Sequence, residues 1–158
     1  MLKMRLILFD EVYFFLSVGA TIGTRYAMVR SQFKDKSSKE GKIERPLIDY
    51  QTHQHRIFPK ICQCFVFNFT SQEVYKKNDK VLRQVKEGDT SGIGPLHCII
   101  SGLKAWGTWA TLQGLEEIRQ SCGGAGYSLH SGIAHLVADY TPAVTLEGDN
   151  TVMAQQNA

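Results

Sequence analysis

The 158-residue sequence has little of what marks several large classes of protein. It contains no internal repeat and no low-complexity tract, which excludes solenoid and collagen-like architectures. Its net charge is only +3 and is scattered along the chain, so nothing in it indicates a nucleic-acid partner. A hydrophobic share of 43% and a charged share of 21% are ordinary for a globular protein, and the length suits one domain over residues 1–158.

Cysteine is also scarce, with four in the chain. Cys62 and Cys64 are too close in sequence to bind one metal ion from the same helix face, and no second pair with zinc spacing follows. Cys98 and Cys122 stand alone. This pattern does not indicate a disulfide framework or a metal site, so we predict reduced, structural thiols and no metal.

No uninterrupted apolar run is long enough to cross a membrane. The N-terminus begins like a signal peptide, with Lys3 and Arg5 before a short apolar run, but Asp10 and Glu11 end that run. We therefore expect an amphipathic or buried helix there. The C-terminal residues MAQQNA lack a Ser-Lys-Leu-type peroxisomal signal.

Strand-like alternation is nearly absent, so we predict an all-α fold, an antiparallel helical bundle. Apolar spacing predicts three long helices, near residues 9–33, 49–86 and 96–121, and a short last helix from about Gly148. Gly123 is placed to end the third long helix.

Several local features are predicted as well. Asp49 is expected to be the N-cap of the second helix, and Pro59 should kink that helix or split off its first turn. The charged loop at 34–45 should be solvated, and HLVADY (135–140) should be a short extended piece in an otherwise irregular stretch. Four aromatic residues are expected to be mostly buried, namely Phe65, Phe69, Trp106 and Trp109.

The stretch from 120 to 151, QSCGGAGYSLHSGIAHLVADYTPAVTLEGDNT, contains the residues best suited to chemistry. Its glycine cluster has no Cβ atoms, so a ligand can approach the backbone closely. Glu147 follows an apolar run, a setting that desolvates a carboxylate and makes it a better base near neutral pH. From the residues alone, the glycines are also explained as a helix C-cap and turn, which is a common feature. The residues alone favour Glu147 as a carboxylate that binds free N–H groups at a helix start.

Two further segments, RYAMVRSQF (25–33) and RPLIDYQTHQHRIFP (45–59), precede QSCGGAGY and TLEGDNTV. These four motifs, in this order and with this spacing, resemble the acyl-CoA oxidase branch of the acyl-CoA dehydrogenase superfamily. The resemblance covers about residues 15–158. It implies the helical C-terminal-half fold of that family, without its β-domain and its distal helical domain.

The resemblance implies FAD-dependent oxidation of acyl-CoA to trans-2-enoyl-CoA, with H2O2 formation, in fatty acid β-oxidation. Glu147 would take the pro-R α-proton while hydride leaves Cβ for the flavin, and a backbone N–H and a ribityl hydroxyl would polarise the thioester carbonyl. The implied partners are acyl-CoA and molecular oxygen, the implied assembly is a homodimer, and the implied location is the peroxisome.

The resemblance also implies which residues contact FAD. Arg30 would bind the pyrophosphate, and the glycine motif would contact the adenosine-diphosphate half of an FAD bound by the neighbouring subunit. The full implied set is Arg30, Gln51, Gln120, Gly123, Gly124, Gly126, Asn150 and Thr151. Lys34 stands where the dehydrogenases often have glycine, so the first motif departs from their pattern.

Two alternatives stay open. The segment is either catalytic, or a silent helical remnant used for dimerisation or regulation; retention of Glu147, the glycine motif and Arg30 favours a catalytic segment. A catalytic segment could also belong to a dehydrogenase that passes electrons to a carrier protein, although the EGDNT form of the last motif is typical of the oxidases. Because the family's chains are several times longer, we expect the isolated segment to be inactive and to bind FAD weakly.

Overall fold

The computed structural model describes residues 2–34 and 44–157. Three long helices dominate it: α1 (Leu2–Val29), α2 (Gln51–Lys86) and α3 (Ile93–Ser121). Three short helices follow, α4 (Gly123–Tyr127), α5 (Ile133–Tyr140) and α6 (Asn150–Gln155), and 3-10 turns lie at Leu47–Asp49, Leu129–Ser131 and Thr141–Val144. The predicted all-α bundle is confirmed. The predicted solvated loop at 34–45 falls almost wholly outside the described residues.

One antiparallel pair of short strands joins the end of α1 to the start of α2, β1 (Ser31–Lys34) and β2 (Glu44–Pro46). The sequence predicts that the first helix continues to residue 33, and this is wrong, because the chain leaves the helix after Val29 and pairs as a strand. Phe33 has a φ of 63°, which no α-helix can contain.

Helices α1 and α3 pack closely and run in the same direction, because small residues on each helix face large ones on the other. A Cβ at Gly107 would lie 2.8 Å from Phe9, and a Cβ at Gly114 would lie 2.9 Å from Leu16. The contact is reciprocal further along, where a Cβ at Gly23 would lie 2.5 Å from the Ile118 side chain. The glycines that weaken α3 as an isolated helix thus let it approach α1.

Helix α2 runs antiparallel to both and completes the core. Leu6, Phe9, Val12 and Leu16 recur at helical spacing on the inner face of α1 and are almost fully buried. Phe67 of α2 meets Phe9 edge to face, with ring centroids 6.2 Å apart.

By length and composition α1 would be able to cross a membrane, a property that the argument from Asp10 and Glu11 does not anticipate. The core helix of a globular protein meets the same criteria. Nine residues of α1 are buried in the fold, including Val12 and Leu16, so we interpret α1 as the central core helix.

The prediction of four mostly buried aromatic side chains is wrong. Their exposed fractions are 58% for Phe65, 61% for Phe69, 50% for Trp106 and 40% for Trp109. Phe67, midway between the two phenylalanines, is the residue that faces the core, and residues two apart on a helix point in different directions. The abundance of aromatic residues in a segment does not reveal which helix face each one occupies.

Three local predictions are also corrected. HLVADY is helical within α5, because Ile133, Leu136, Val137 and Tyr140 form an apolar stripe at helical spacing. The N-cap of α2 is Tyr50, without a side-chain bond, since Asp49 ends the preceding 3-10 turn. Helix α2 continues through Pro59, so of the two alternatives predicted for this proline only the split-off first turn is excluded.

Candidate active site

Glu147 lies in a tight turn between the 3-10 turn Thr141–Val144 and helix α6. Its φ is 56° and that of Gly148 is 114°, so both residues have left-handed backbone. A residue with a Cβ pays about 1–2 kcal/mol for this conformation. Such an outlier persists only where the surrounding structure enforces it, and it is a reason to look for function.

Two buried cations hold this turn from the inside. Arg5 Nε donates to the carbonyl oxygen of Glu147 at 3.0 Å. Lys104 Nζ donates to the carbonyl oxygen of Gly148 at 2.7 Å. Lys104 is 0% exposed and Arg5 only 6%. Through these two side chains, helices α1 and α3 therefore fix two successive peptide groups of the turn from the protein interior.

The two cations belong to one buried hydrogen-bond network. Lys104 Nζ also donates to Asn150 Oδ1 at 2.8 Å, and Asn150 Nδ2 donates to Thr108 Oγ1 at 2.8 Å. Arg5 Nη1 lies 2.8 Å from His97 Nε2, which must accept because a guanidinium has no acceptor. Burial lowers the pKa of Lys104, and the nearby Asp149 carboxylate opposes that shift.

This network decides what Asn150 can do. Its side chain is buried and its amide is bonded to Lys104, Thr108 and the carbonyl of Ala105. The side chain implied to reach the flavin nucleotide therefore has a structural role here. Asp149 is the N-cap of α6 and accepts from Thr151 N at 2.9 Å, while Thr151 itself is exposed.

The outer side of the turn is open. The Glu147 side chain is exposed, so the desolvation predicted from its apolar neighbours is absent in this chain, where Leu146 is exposed as well. Within residues 2–34 and 44–157, neither the carboxylate nor the N–H of Glu147 makes a hydrogen bond. The carboxylate and the backbone N–H of Glu147 are thus both available to a ligand.

The glycine motif forms a second open surface, at the end of α3. Gly123 has a φ of 56° and follows the C-cap Cys122, so the prediction that it ends the helix is confirmed. A Cβ on Gly123 or Gly124 would meet nothing within 4 Å, whereas a Cβ on Gly126 would collide with the Arg119 carbonyl oxygen. Beside them is an open groove of about 680 Å³ lined by Arg119, Tyr127, Ser128, Leu129, Ala134, Val137 and Ala138.

Gln120 lies just before the glycine motif in the last turn of α3, and its side-chain amide is already hydrogen-bonded. Its Nε2 donates to Glu116 Oε1 at 2.9 Å, and Arg119 donates to both oxygens of the same carboxylate at 2.7 and 2.6 Å. The Arg119 hydrogen bonds hold the pKa of Glu116 at about 2, below its usual 4.5.

Arg30 and Gln51 lie at the end of the bundle where strands β1 and β2 join α1 to α2. Arg30 is just beyond α1 rather than on it, and its N–H donates to the Tyr26 carbonyl at 2.8 Å. Gln51 is the first residue of α2. Both side chains are exposed.

The predicted site residues therefore form two groups. Arg30 follows Arg5 by 25 residues along α1, which at 1.5 Å per residue places the two about 37 Å apart. Because Arg5 binds the carbonyl of Glu147, Glu147 lies at the opposite end of the bundle from Arg30 and Gln51. The glycine motif, at the end of α3 and parallel to the end of α1, lies on the Arg30 side.

Arg5 and Lys104 bind the turn that carries Glu147, and the sequence did not reveal either contact. In the sequence Arg5 is one of two basic residues near the N-terminus. Only the structure shows that it contacts Glu147, which is 142 positions away. Lys104 had one detectable signal, since it occupies the same helix face as the apolar Ile100 and the small Thr108.

No group of three or more His, Cys, Asp or Glu side chains that could hold a metal ion occurs in the described ranges. The four cysteines are free thiols. Burial raises the pKa of Cys64 to about 11, so this thiol stays protonated near neutral pH.

The whole chain, residues 1–158, matches the family model described as "Acyl-CoA oxidase, C-alpha1 domain". It is 39% identical over 143 residues to peroxisomal acyl-coenzyme A oxidase 1 of Mus musculus, which covers 90% of this chain and 21% of that protein. The chain therefore spans about a fifth of the length of that relative.

Solved structures agree with the sequence match. Acyl-CoA oxidase 1 of Arabidopsis thaliana superposes with a TM-score of 0.94 at 36% identity, over 99% of this chain and 23% of that one. Acyl-CoA oxidase-1 of Caenorhabditis elegans, solved in complex with FAD and ATP, gives a TM-score of 0.94 at 35% identity, over 99% and 24%. The chain belongs to the acyl-CoA oxidase family and corresponds to its C-alpha1 domain.

Proposed function

We propose that these 158 residues are the helical segment of an FAD-dependent acyl-CoA oxidase, in which Glu147 is the base that takes the α-proton of acyl-CoA. One observation carries the proposal: Glu147 is held in a left-handed turn whose carbonyl groups point into the protein. Its carboxylate and N–H are left available on the outer side. A carboxylate whose only role was to bind the free N–H groups at the start of a helix would not require a strained backbone.

The chemistry fits this arrangement. The α-proton of a thioester is a weak acid, so its removal needs a base together with a donor at the oxygen where enolate charge develops. The Glu147 carboxylate supplies the base, and the Glu147 N–H can donate to the thioester oxygen. When bound, FAD supplies the oxidant that accepts the hydride from Cβ and passes the electron pair to O2, which gives trans-2-enoyl-CoA and H2O2.

The residues at the other end of the bundle fit a phosphate-rich ligand. The backbone at Gly123 and Gly124 is open, and the exposed Arg30 guanidinium suits bidentate binding of a pyrophosphate. Gln51, Gln120 and the Gly126 turn lie on the same side and complete the proposed contact. Beside Glu147, at the opposite end of the bundle, Thr151 is exposed and available to the cofactor, whereas Asn150 is buried and fixes the turn through its bonds to Lys104 and Thr108.

The separation of the two groups supports a dimer. The group around Arg30 and the turn at Glu147 lie about 37 Å apart, so they cannot contact the same part of one FAD molecule. We therefore assign the two groups to two FAD molecules, one of which a second subunit binds. The exposed Phe65, Phe69, Trp106 and Trp109 are available to the rest of the enzyme. Because relatives are named peroxisomal acyl-coenzyme A oxidases, we propose the peroxisome as the location and fatty acid β-oxidation as the pathway.

Glu147→Gln in the full-length holoenzyme tests the base assignment, because the amide keeps the shape and cannot accept the proton. We expect the rate constant of flavin reduction by acyl-CoA to fall by about 10²–10⁴-fold while FAD content stays normal. Glu73→Gln is the matched control, since Glu73 is exposed and bonds only to Lys76. Flavin reduction by Glu147→Gln at the wild-type rate would show that the base is elsewhere.

The electron acceptor needs its own measurement. H2O2 formed in air, quantified against enoyl-CoA formed, should reach one molecule per turnover for an oxidase. A dehydrogenase would form enoyl-CoA only when an artificial carrier is added, and that result would overturn the oxygen step while leaving the role of Glu147 intact.

A further inference from the structure

We propose that Arg5 and Lys104 are positioning residues for the Glu147 base: together they clamp the Glu147–Gly148 turn in its left-handed conformation. The inference rests on the proposed function, since it concerns how that base is aimed. The two side chains come from parallel helices, α1 and α3, and reach carbonyl oxygens of consecutive residues at 3.0 and 2.7 Å.

The clamp sets the geometry on the C-terminal side of Glu147. Each bound carbonyl fixes the plane of its peptide group, so the two bonds fix the planes between 147 and 148 and between 148 and 149. On the N-terminal side, Thr145 N and Leu146 N both donate to the Pro142 carbonyl, at 3.0 and 2.9 Å. Glu147 is thus the residue between two restrained segments, and the backbone sets the direction in which its side chain leaves the turn.

Stability alone does not explain two buried cations at this place. No carboxylate lies within 4.0 Å of either cation in the described part of the chain, so the atoms in direct contact with them are neutral oxygen and nitrogen atoms, and Asp149 and Glu147 act on Lys104 only from a greater distance. Buried charges of this kind are often replaced by well-packed apolar side chains without loss of stability. Two buried cations placed on the carbonyls of Glu147 and of the next residue therefore point to positioning.

The network around the clamp keeps the cations in place. Arg5 is held by His97 and Ser101, and Lys104 by Asn150, which in turn is bonded to Thr108. The contacts that define the clamp are the two carbonyl hydrogen bonds. Removing one cation would leave a carbonyl unpaired and let the turn relax toward ordinary backbone angles, which would move the carboxylate.

The test uses the full-length holoenzyme, with stopped-flow measurement of flavin reduction at saturating acyl-CoA. Lys104→Met and Arg5→Gln should each lower the rate constant by about 10–100-fold, the range expected when a reacting group is displaced by about 1 Å. The Kd for acyl-CoA should change less than about threefold, because the clamp touches the base and not the substrate. Arg5→Lys, which keeps a cation, should recover much of the rate.

Two comparisons separate positioning from a general loss of structure. Lys60→Met is the matched control, since Lys60 pairs with Glu117 at 2.6 Å and does not contact the turn; it should reduce its flavin at the wild-type rate. The double variant Lys104→Met with Glu147→Gln should reduce its flavin no more slowly than Glu147→Gln alone. Displacing the side chain has no further effect on the rate once its carboxylate has been removed. Multiplicative losses in that double variant would overturn the clamp.

The outcomes distinguish the two proposals. Slow Glu147→Gln with wild-type rates for both Lys104→Met and Arg5→Gln refutes the clamp and leaves the base assignment standing. Wild-type Glu147→Gln refutes the base, and the clamp with it. Because Arg5→Gln and Lys104→Met are measured independently, a failure of one variant to bind FAD does not remove the test.

Discussion

Replacement of Glu147 by glycine should stabilise the fold while it removes the proposed base. The φ of 56° costs a residue with a Cβ about 1–2 kcal/mol and costs glycine almost nothing. Glycine also makes the unfolded chain more flexible, which lowers stability by about 0.4–1 kcal/mol. The net expectation is a gain of about 0.8 kcal/mol, within limits of about 0 and 1.6 kcal/mol, relative to Glu147→Gln, which removes the charge but keeps the Cβ.

The control comes from the same chain. Glu87 is exposed like Glu147, but its φ is −86°, an ordinary angle for any residue. Glu87→Gly, compared with Glu87→Gln, should therefore show only the unfolded-state loss of about 0.4–1 kcal/mol. The two glycine substitutions should differ by about 1–2 kcal/mol and in sign.

Urea unfolding of the 158-residue chain, followed by circular dichroism at 222 nm with matched m-values, measures both differences. The reasoning is refuted if Glu147→Gly destabilises the chain as much as Glu87→Gly does. Equal losses would mean that no left-handed strain exists at Glu147, and the turn would then lose its main sign of function.

Two further predictions concern the other end of the bundle and the isolated chain. The folded-state pKa of Glu116, about 2, lies below its usual 4.5, so its pairing with Arg119 stabilises the fold fully above pH 4.5 and is lost as pH falls toward 2. Glu116→Gln should flatten the Tm-against-pH curve in that window, and an unchanged slope would contradict the pairing. The isolated chain should lose FAD during gel filtration, because it spans 23% of the Arabidopsis relative and exposes Trp106 and Phe65. Stoichiometric FAD after the column would contradict this.

Much of the helical framework could be predicted because it depends on local pattern. The spacing of Leu6, Phe9 and Val12 requires a buried helix face whatever the partner, and Gly123 ends α3 through its own backbone freedom. The motif around Glu147 could be recognised for the same reason, since it is contiguous in sequence.

The failures have one physical cause as well. Local pattern shows that an aromatic segment is helical, but not which face of the helix packs against a neighbour. The prediction that Trp106 and Trp109 are mostly buried is wrong for this reason. The desolvation expected at Glu147 also depends on what covers the turn, and Leu146 beside it is exposed in this chain.

The sequence by itself determined an all-α chain of three long helices, the family it resembles, and the residue best suited to be a base. Only the tertiary structure decided that Glu147 has left-handed backbone, and that Arg5 and Lys104 hold it there. Those contacts join residues 142 and 44 positions apart. Bonds of that range form only when α1 and α3 pack in register, and no local spacing encodes that register.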